Sequence, residues 1–143
     1  MTALPVRRAR AAVFAVFGIN GFLFAMWVVH IPAVQQRTGV GNAMLGTLLL
    51  ALAAGAVVGM QVTGRFADRF GSDRTTTVTA AALAIVIAGP GVVSQPWQLG
   101  AVLMLLGFAN GALDVSMNTQ AVVVEQRYRR PIMAAFHGMF SIG

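Results

Sequence analysis

The sequence predicts an all-α membrane protein with four transmembrane helices and the start of a fifth, and three observations carry that expectation. Of the 143 residues, 57% are hydrophobic and only 10% are charged, whereas soluble domains carry about 25% charged residues. The charges fall in short clusters between long uncharged runs. Those runs exceed the ~20 apolar residues that a helix needs to cross ~30 Å of hydrocarbon. A bilayer accepts side chains that are apolar all round a helix, provided the backbone satisfies its own hydrogen bonds.

Between Arg10 and Arg37 lie 26 residues without Arg, Lys, Asp or Glu, and between Arg37 and Arg65 lie 27. Helix 1 is expected over about 11–33 and helix 2 over 43–63. Asn42 is a plausible cap for the second, and Gly39-Val40-Gly41 supplies the preceding turn. A third uncharged run, Thr75 to Leu113, has 39 residues, too many for one helix. Pro90-Gly91 and Ser94-Gln95-Pro96 divide it, because proline lacks a donor and disfavours helix in the residue before it. Helix 3 is expected over 75–92 and helix 4 over 97–124, with Trp97 as an interfacial anchor. Apolar residues resume over 131–143, too few to cross. They predict the start of helix 5 in a truncated or split product.

Arg7, Arg8 and Arg10 before an apolar run imitate a signal peptide, but no polar spacer or small-residue cleavage site follows, so a retained first helix is expected. All ten basic residues are arginines against four acids. Nine of the ten lie in segments on one side: 7, 8 and 10, then 65, 69 and 74, then 127, 129 and 130. Arg37 alone lies on the other. This asymmetry places the N-terminus in the cytoplasm, and its clustering excludes the continuous basic face of a nucleic-acid binder. With no cysteine, disulfides are excluded and the redox compartment stays open.

Gly55 and Gly59, and Gly107 and Gly111, have the small-xxx-small spacing that lets helices approach closely. Glycine is also simply frequent in membrane helices, and both readings stand at this stage.

The segment between helices 2 and 3 reads Gly64-Arg65-Phe66-Ala67-Asp68-Arg69-Phe70-Gly71-Ser72-Asp73-Arg74. It closely resembles the signature of the major facilitator superfamily, which lies between helices 2 and 3 on the cytoplasmic side. The resemblance implies helices 1–4 and the start of helix 5 of a six-helix N-terminal half, in the cytoplasmic (inner) membrane. It also implies a cytoplasmic gate built from Gly64, Asp68, Arg69, Gly71 and Arg74, whose contacts lock the outward-facing state against a second half. Gly64 and Gly71 permit tight turns, Asp68 suits a helix N-terminus, and Arg69 and Arg74 can fork onto carboxylates or carbonyls. Ser72 and Asp73 stand where the family usually has basic residues, which weakens the gate charge. A solvated charge run that only sets topology is the plainer reading of the same loop.

Asp114 lies ten residues from the inner end of helix 4, or ~15 Å, near the bilayer middle. An ionised carboxylate there costs ~2.5–3.5 kcal/mol on insertion scales, so it must be protonated, paired or facing water. Asn110, Asp114 and Asn118 share one helix face, and Asn20 sits at similar depth in helix 1. Helices 1 and 4 line the central cavity in the family. The four side chains are therefore the expected substrate and coupling site, suited by their donors and acceptors to a small polar, sugar-like solute. The run Leu113-Asp114-Val115-Ser116-Met117-Asn118 also resembles the fucose:proton symporter branch, where the acid takes part in proton coupling. Two departures stand beside this. The second acid of that branch falls on Val28, and a helix-4 arginine common in proton-coupled members falls near Gly107. An interhelical hydrogen bond from a protonated Asp114 is the structural alternative.

His30 and His137 have no metal-ligand neighbours, and Glu125 to Pro131 reads as a cytoplasmic loop. No phosphate loop, nucleophile motif or Cys/His cluster is present, so no catalytic residue, metal or cofactor is expected. The expected function is a fragment of a secondary transporter working by alternating access, with protons, lipid and a C-terminal half as partners. The alternative is a small four-helix membrane partner or scaffold without transport.

Overall fold

A computed structural model describes residues 6–143, and they form five helices and no strand. They are α1 (Val6–Thr38), α2 (Asn42–Phe70), α3 (Ser72–Val86), α4 (Pro96–Tyr128) and α5 (Met133–Ile142), with a 3-10 turn at Gly89–Gly91 between α3 and α4. Three of them, α1, α2 and α4, are long and apolar enough to span a membrane. The 33 residues of α1 and of α4 give each a length of ~50 Å, well beyond the ~30 Å hydrocarbon layer.

Several boundaries differ from the expected ones for one physical reason: hydropathy reports the apolar stretch, whereas the backbone ladder continues into polar residues. Thus α1 passes through Pro32 to Thr38, and α2 continues to Phe70. The expected loop between helices 2 and 3 shrinks to Gly71. That residue has φ 91° and ψ 142°, and its N–H donates to the Ala67 carbonyl at 3.0 Å. A side chain is strained at this φ, and a Cβ would meet the Asp73 carboxylate at 2.9 Å. Gly64, by contrast, lies inside α2 with nothing near it, so it makes no turn. Asn42 is the first helical residue rather than the cap. Gly41 holds the cap position, and Asn42 Oδ1 accepts from Gln35 Nε2 at 3.1 Å.

Helix 3 ends at Val86 and not at residue 92. Around Pro90 the chain tightens to three-residue hydrogen bonds, from Ala88 N–H to Ile85, Gly91 N–H to Ala88 and Val92 N–H to Gly89. Its 15 residues span ~22 Å, short of a full crossing. Arg37, expected as a topology marker, closes this end. Its guanidinium donates to the Val93 carbonyl at 3.0 Å and to that of Pro90.

The core is built around α4, which buries twelve residues on several faces, Leu99, Leu103, Leu106 and Leu113 among them. Its partner α2 buries only Gly55, Gly59, Thr63 and Ala67, one ridge at four-residue spacing. The two helices touch through backbone. A Cβ on Gly55 or Gly59 would run into the Met104 or Phe108 carbonyl, and one on Gly107 or Gly111 into the Leu52 or Ala56 carbonyl. The glycine spacing is therefore packing. Along α3, Thr79 and Ser116 hydroxyls meet at 2.9 Å and Ser72 donates to Gln120 at 2.6 Å. Gly21 lets α5 in, its Cα facing the Phe140 carbonyl, and Phe136 lies stacked on Phe17 with centroids 5.6 Å apart.

Outward surfaces remain apolar: Leu50, Val29 and Ile85 are more than two-thirds exposed, which lipid accepts and water does not.

Candidate functional site

Two groups of expected residues occupy two levels of the bundle. At the arginine-rich end, Arg10 Nη1 donates to the Tyr128 hydroxyl at 2.5 Å, and its guanidinium lies 4.7 Å from that ring centroid. This joins the start of α1 to the end of α4. The Ser72–Gln120 bond brings the α2–α3 turn to the same end. The arginine clusters of three separate segments therefore converge, as their alternation along the chain requires.

Within that end, Asp68 and Arg69 lie in the last turns of α2 and Arg74 in the first turn of α3, all exposed. Asp68 is thus on a helix C-terminus and not facing an N-terminus, where its charge opposes the partial negative charge of its own helix. Asp73 takes the favourable place in the first turn of α3. Arg69 lies over the Phe70 ring, 5.5 Å from its centroid.

At mid-depth, Asn110, Asp114 and Asn118 lie half-buried on one face of α4. Asn118 Nδ2 donates to the Asp114 carbonyl at 2.8 Å and to its carboxylate at 3.1 Å, which fixes one carboxylate oxygen and leaves the other open. Asn20 reaches α4 but seats against Met117, its Nδ2 3.7 Å from the sulfur, and it is 2% exposed. Its Oδ1 is buried without a partner, a cost of about 1–3 kcal/mol that calls for an explanation. The structure therefore joins Asp114 with Asn118, keeps Asn110 on their face, and places Asn20 one turn away in the α1–α4 seam.

Two residues carry more than their sequence context suggests. His137 lies on α5, on the side that meets α1. Its Nδ1 hydrogen-bonds the Met133 carbonyl at 3.1 Å. A carbonyl only accepts, so that nitrogen holds the proton and Nε2 is the open one. Its ring stands edge-on to Phe17 at 5.3 Å. Glu125 belongs to α4 and not to a loop. One of its carboxylate oxygens accepts from both the Ile132 and Met133 N–H at 2.7 Å, capping α5 where the helix dipole favours an anion. No spacing rule links either residue to its partner, because each contact depends on how α5 folds back on the bundle.

Long apolar helices around a central α4, with polar side chains partway along it, define a multi-pass membrane protein. The Major Facilitator Superfamily model matches residues 2–143, and the chain belongs to that family. It is similar to an uncharacterized transporter of Sinorhizobium fredii, at 37% identity over 92% of this chain and 35% of the relative. It is also similar to an uncharacterized MFS-type transporter of Yersinia pestis, at 34% over 89% of this chain and 33% of the relative. The membrane protein MosC of Rhizobium meliloti shares 39% identity over 89% of this chain and 31% of its own length. The chain thus spans about a third of these relatives. No solved structure matches it.

Proposed function

We propose that this chain forms part of the N-terminal half of a secondary transporter that moves a small polar, sugar-like solute by alternating access. Its site comprises Asn20, Asn110, Asp114 and Asn118, and proton coupling runs through Asp114. The chain lies in the cytoplasmic membrane with its arginine-rich end inside, as the positive-inside rule requires. The carrying observation is the half-buried face of α4 with Asp114 tied to Asn118 at 3.1 Å and one carboxylate oxygen open. A carboxylate kept at mid-depth is costly and is retained in membranes chiefly for pathways and proton relays.

The gate reading rests on Asp68. It stands exposed at a helix end that disfavours it, which fits a carboxylate whose partner comes from a second half. The relatives, about three times longer, have room for that half. The test is solute uptake into cells by a version extended to the relatives' length, with and without a proton gradient. Asp114→Asn is expected to abolish gradient-driven uptake while leaving solute exchange. Unchanged gradient-driven uptake in this variant sinks the coupling role.

A further inference from the structure

Between α2 and α3 the bundle leaves a groove of about 530 Å³ with α4 as its floor. Val62, Phe66, Val78, Phe108 and Ala109 form its walls, and Arg74 stands among the lining residues at one end. Two of the three threonine hydroxyls along it are spent: Thr75 donates to the Gly71 carbonyl at 2.8 Å and Thr79 to that of Thr75 at 2.9 Å. Besides Arg74, the Thr63 hydroxyl is the one polar side-chain group left among the lining residues, too little to recognise a polar solute. At the Arg74 end the Phe66 and Phe70 rings stack with centroids 5.8 Å apart, and Arg69 lies over Phe70. Asp68 and Asp73 are the neighbouring acids and Arg65 a further cation, so three arginines against two acids leave the mouth positive.

We propose that this groove binds one acyl chain of an anionic phospholipid, whose phosphate is held by Arg74 with Arg69 beside it. Its lining and its charge argue for this occupant: apolar walls that end at a cation suit a hydrocarbon chain leading to a phosphate. A guanidinium matches a phosphate in geometry and charge, and basic residues at the membrane surface select anionic lipid. The inference rests on the proposed orientation only for the leaflet that supplies the lipid.

The 143-residue chain, reconstituted in phosphatidylcholine vesicles with a minority of phosphatidylglycerol, is re-extracted in mild detergent and its retained lipid identified by mass. Phosphatidylglycerol enriched over the bulk is expected. Arg74→Gln should cut the enrichment about fivefold, the equivalent of ~1 kcal/mol per cation near the surface, and Ala109→Phe should abolish retention by filling the groove. Should Ala109→Phe misfold, Arg74→Gln, at an exposed position, still decides. Retained lipid of bulk composition overturns the proposal. So does disulfide pairing of Val78→Cys chains in the bilayer, since the protein has no cysteine of its own and the pairing would mean that a second copy covers the groove. The assay involves no transport, so its failure is separate from failure of the site at Asp114.

Discussion

Gly59→Ala tests the backbone-to-backbone seam between α2 and α4. An added Cβ there collides with the Phe108 carbonyl oxygen and crowds the Ala112 nitrogen at 3.1 Å. Neither is the movable end of a side chain, so the helices must part. Parting strips dispersion contacts from the four-glycine seam and weakens the close carbonyl approaches. Overpacking of this kind costs about 1–3 kcal/mol, a five- to 150-fold shift of the folding equilibrium. Gly64→Ala is the control. That residue is in the same helix with nothing within 4 Å, so alanine there should stabilise by ~0.5–1 kcal/mol through helix propensity alone. Reversible unfolding in mixed micelles, followed by far-UV circular dichroism, measures both. The double variant Gly55→Ala/Gly59→Ala should cost less than the sum of the singles, because helices already parted for one methyl admit the next. Gly59→Ala as benign as Gly64→Ala would refute the seam.

The other tests concern single contacts. Glu125→Ala removes the acceptor of two N–H groups at the start of α5. It should cost about 1–3 kcal/mol, read as faster amide exchange at Ile132 and Met133. Arg37→Lys keeps the charge but not the fork that spans the Pro90 and Val93 carbonyls. Limited proteolysis should become faster at residues 89–94, while unchanged protection would show that only the charge mattered. A double-mutant cycle of Thr79→Val and Ser116→Ala should give a coupling near 0.6 kcal/mol, the usual worth of a hydrogen bond between membrane helices. A coupling of zero would mean that the two hydroxyls are satisfied separately.

Membrane class, the existence of every helix and the family were legible in composition, uncharged run lengths and the Gly64–Arg74 signature, because each depends on residues close together in sequence. The Asn110, Asp114 and Asn118 face was legible for the same reason, since the helical period alone aligns it. Helix ends were less so: hydropathy ends at the hydrocarbon boundary, but hydrogen bonding carried α2 through Asp68 to Gly71 and tightened α3 ahead of Pro90. What required the tertiary structure is every contact between helices. The seat of Asn20 against Met117, the packing of His137 on Phe17, the Glu125 cap on α5 and the Arg37 clamp join residues whose spacing carries no period. The glycine pairs show the division most plainly, for their spacing only permits a close approach, and it is the opposing carbonyls, brought in by the fold, that make a side chain there impossible to fit.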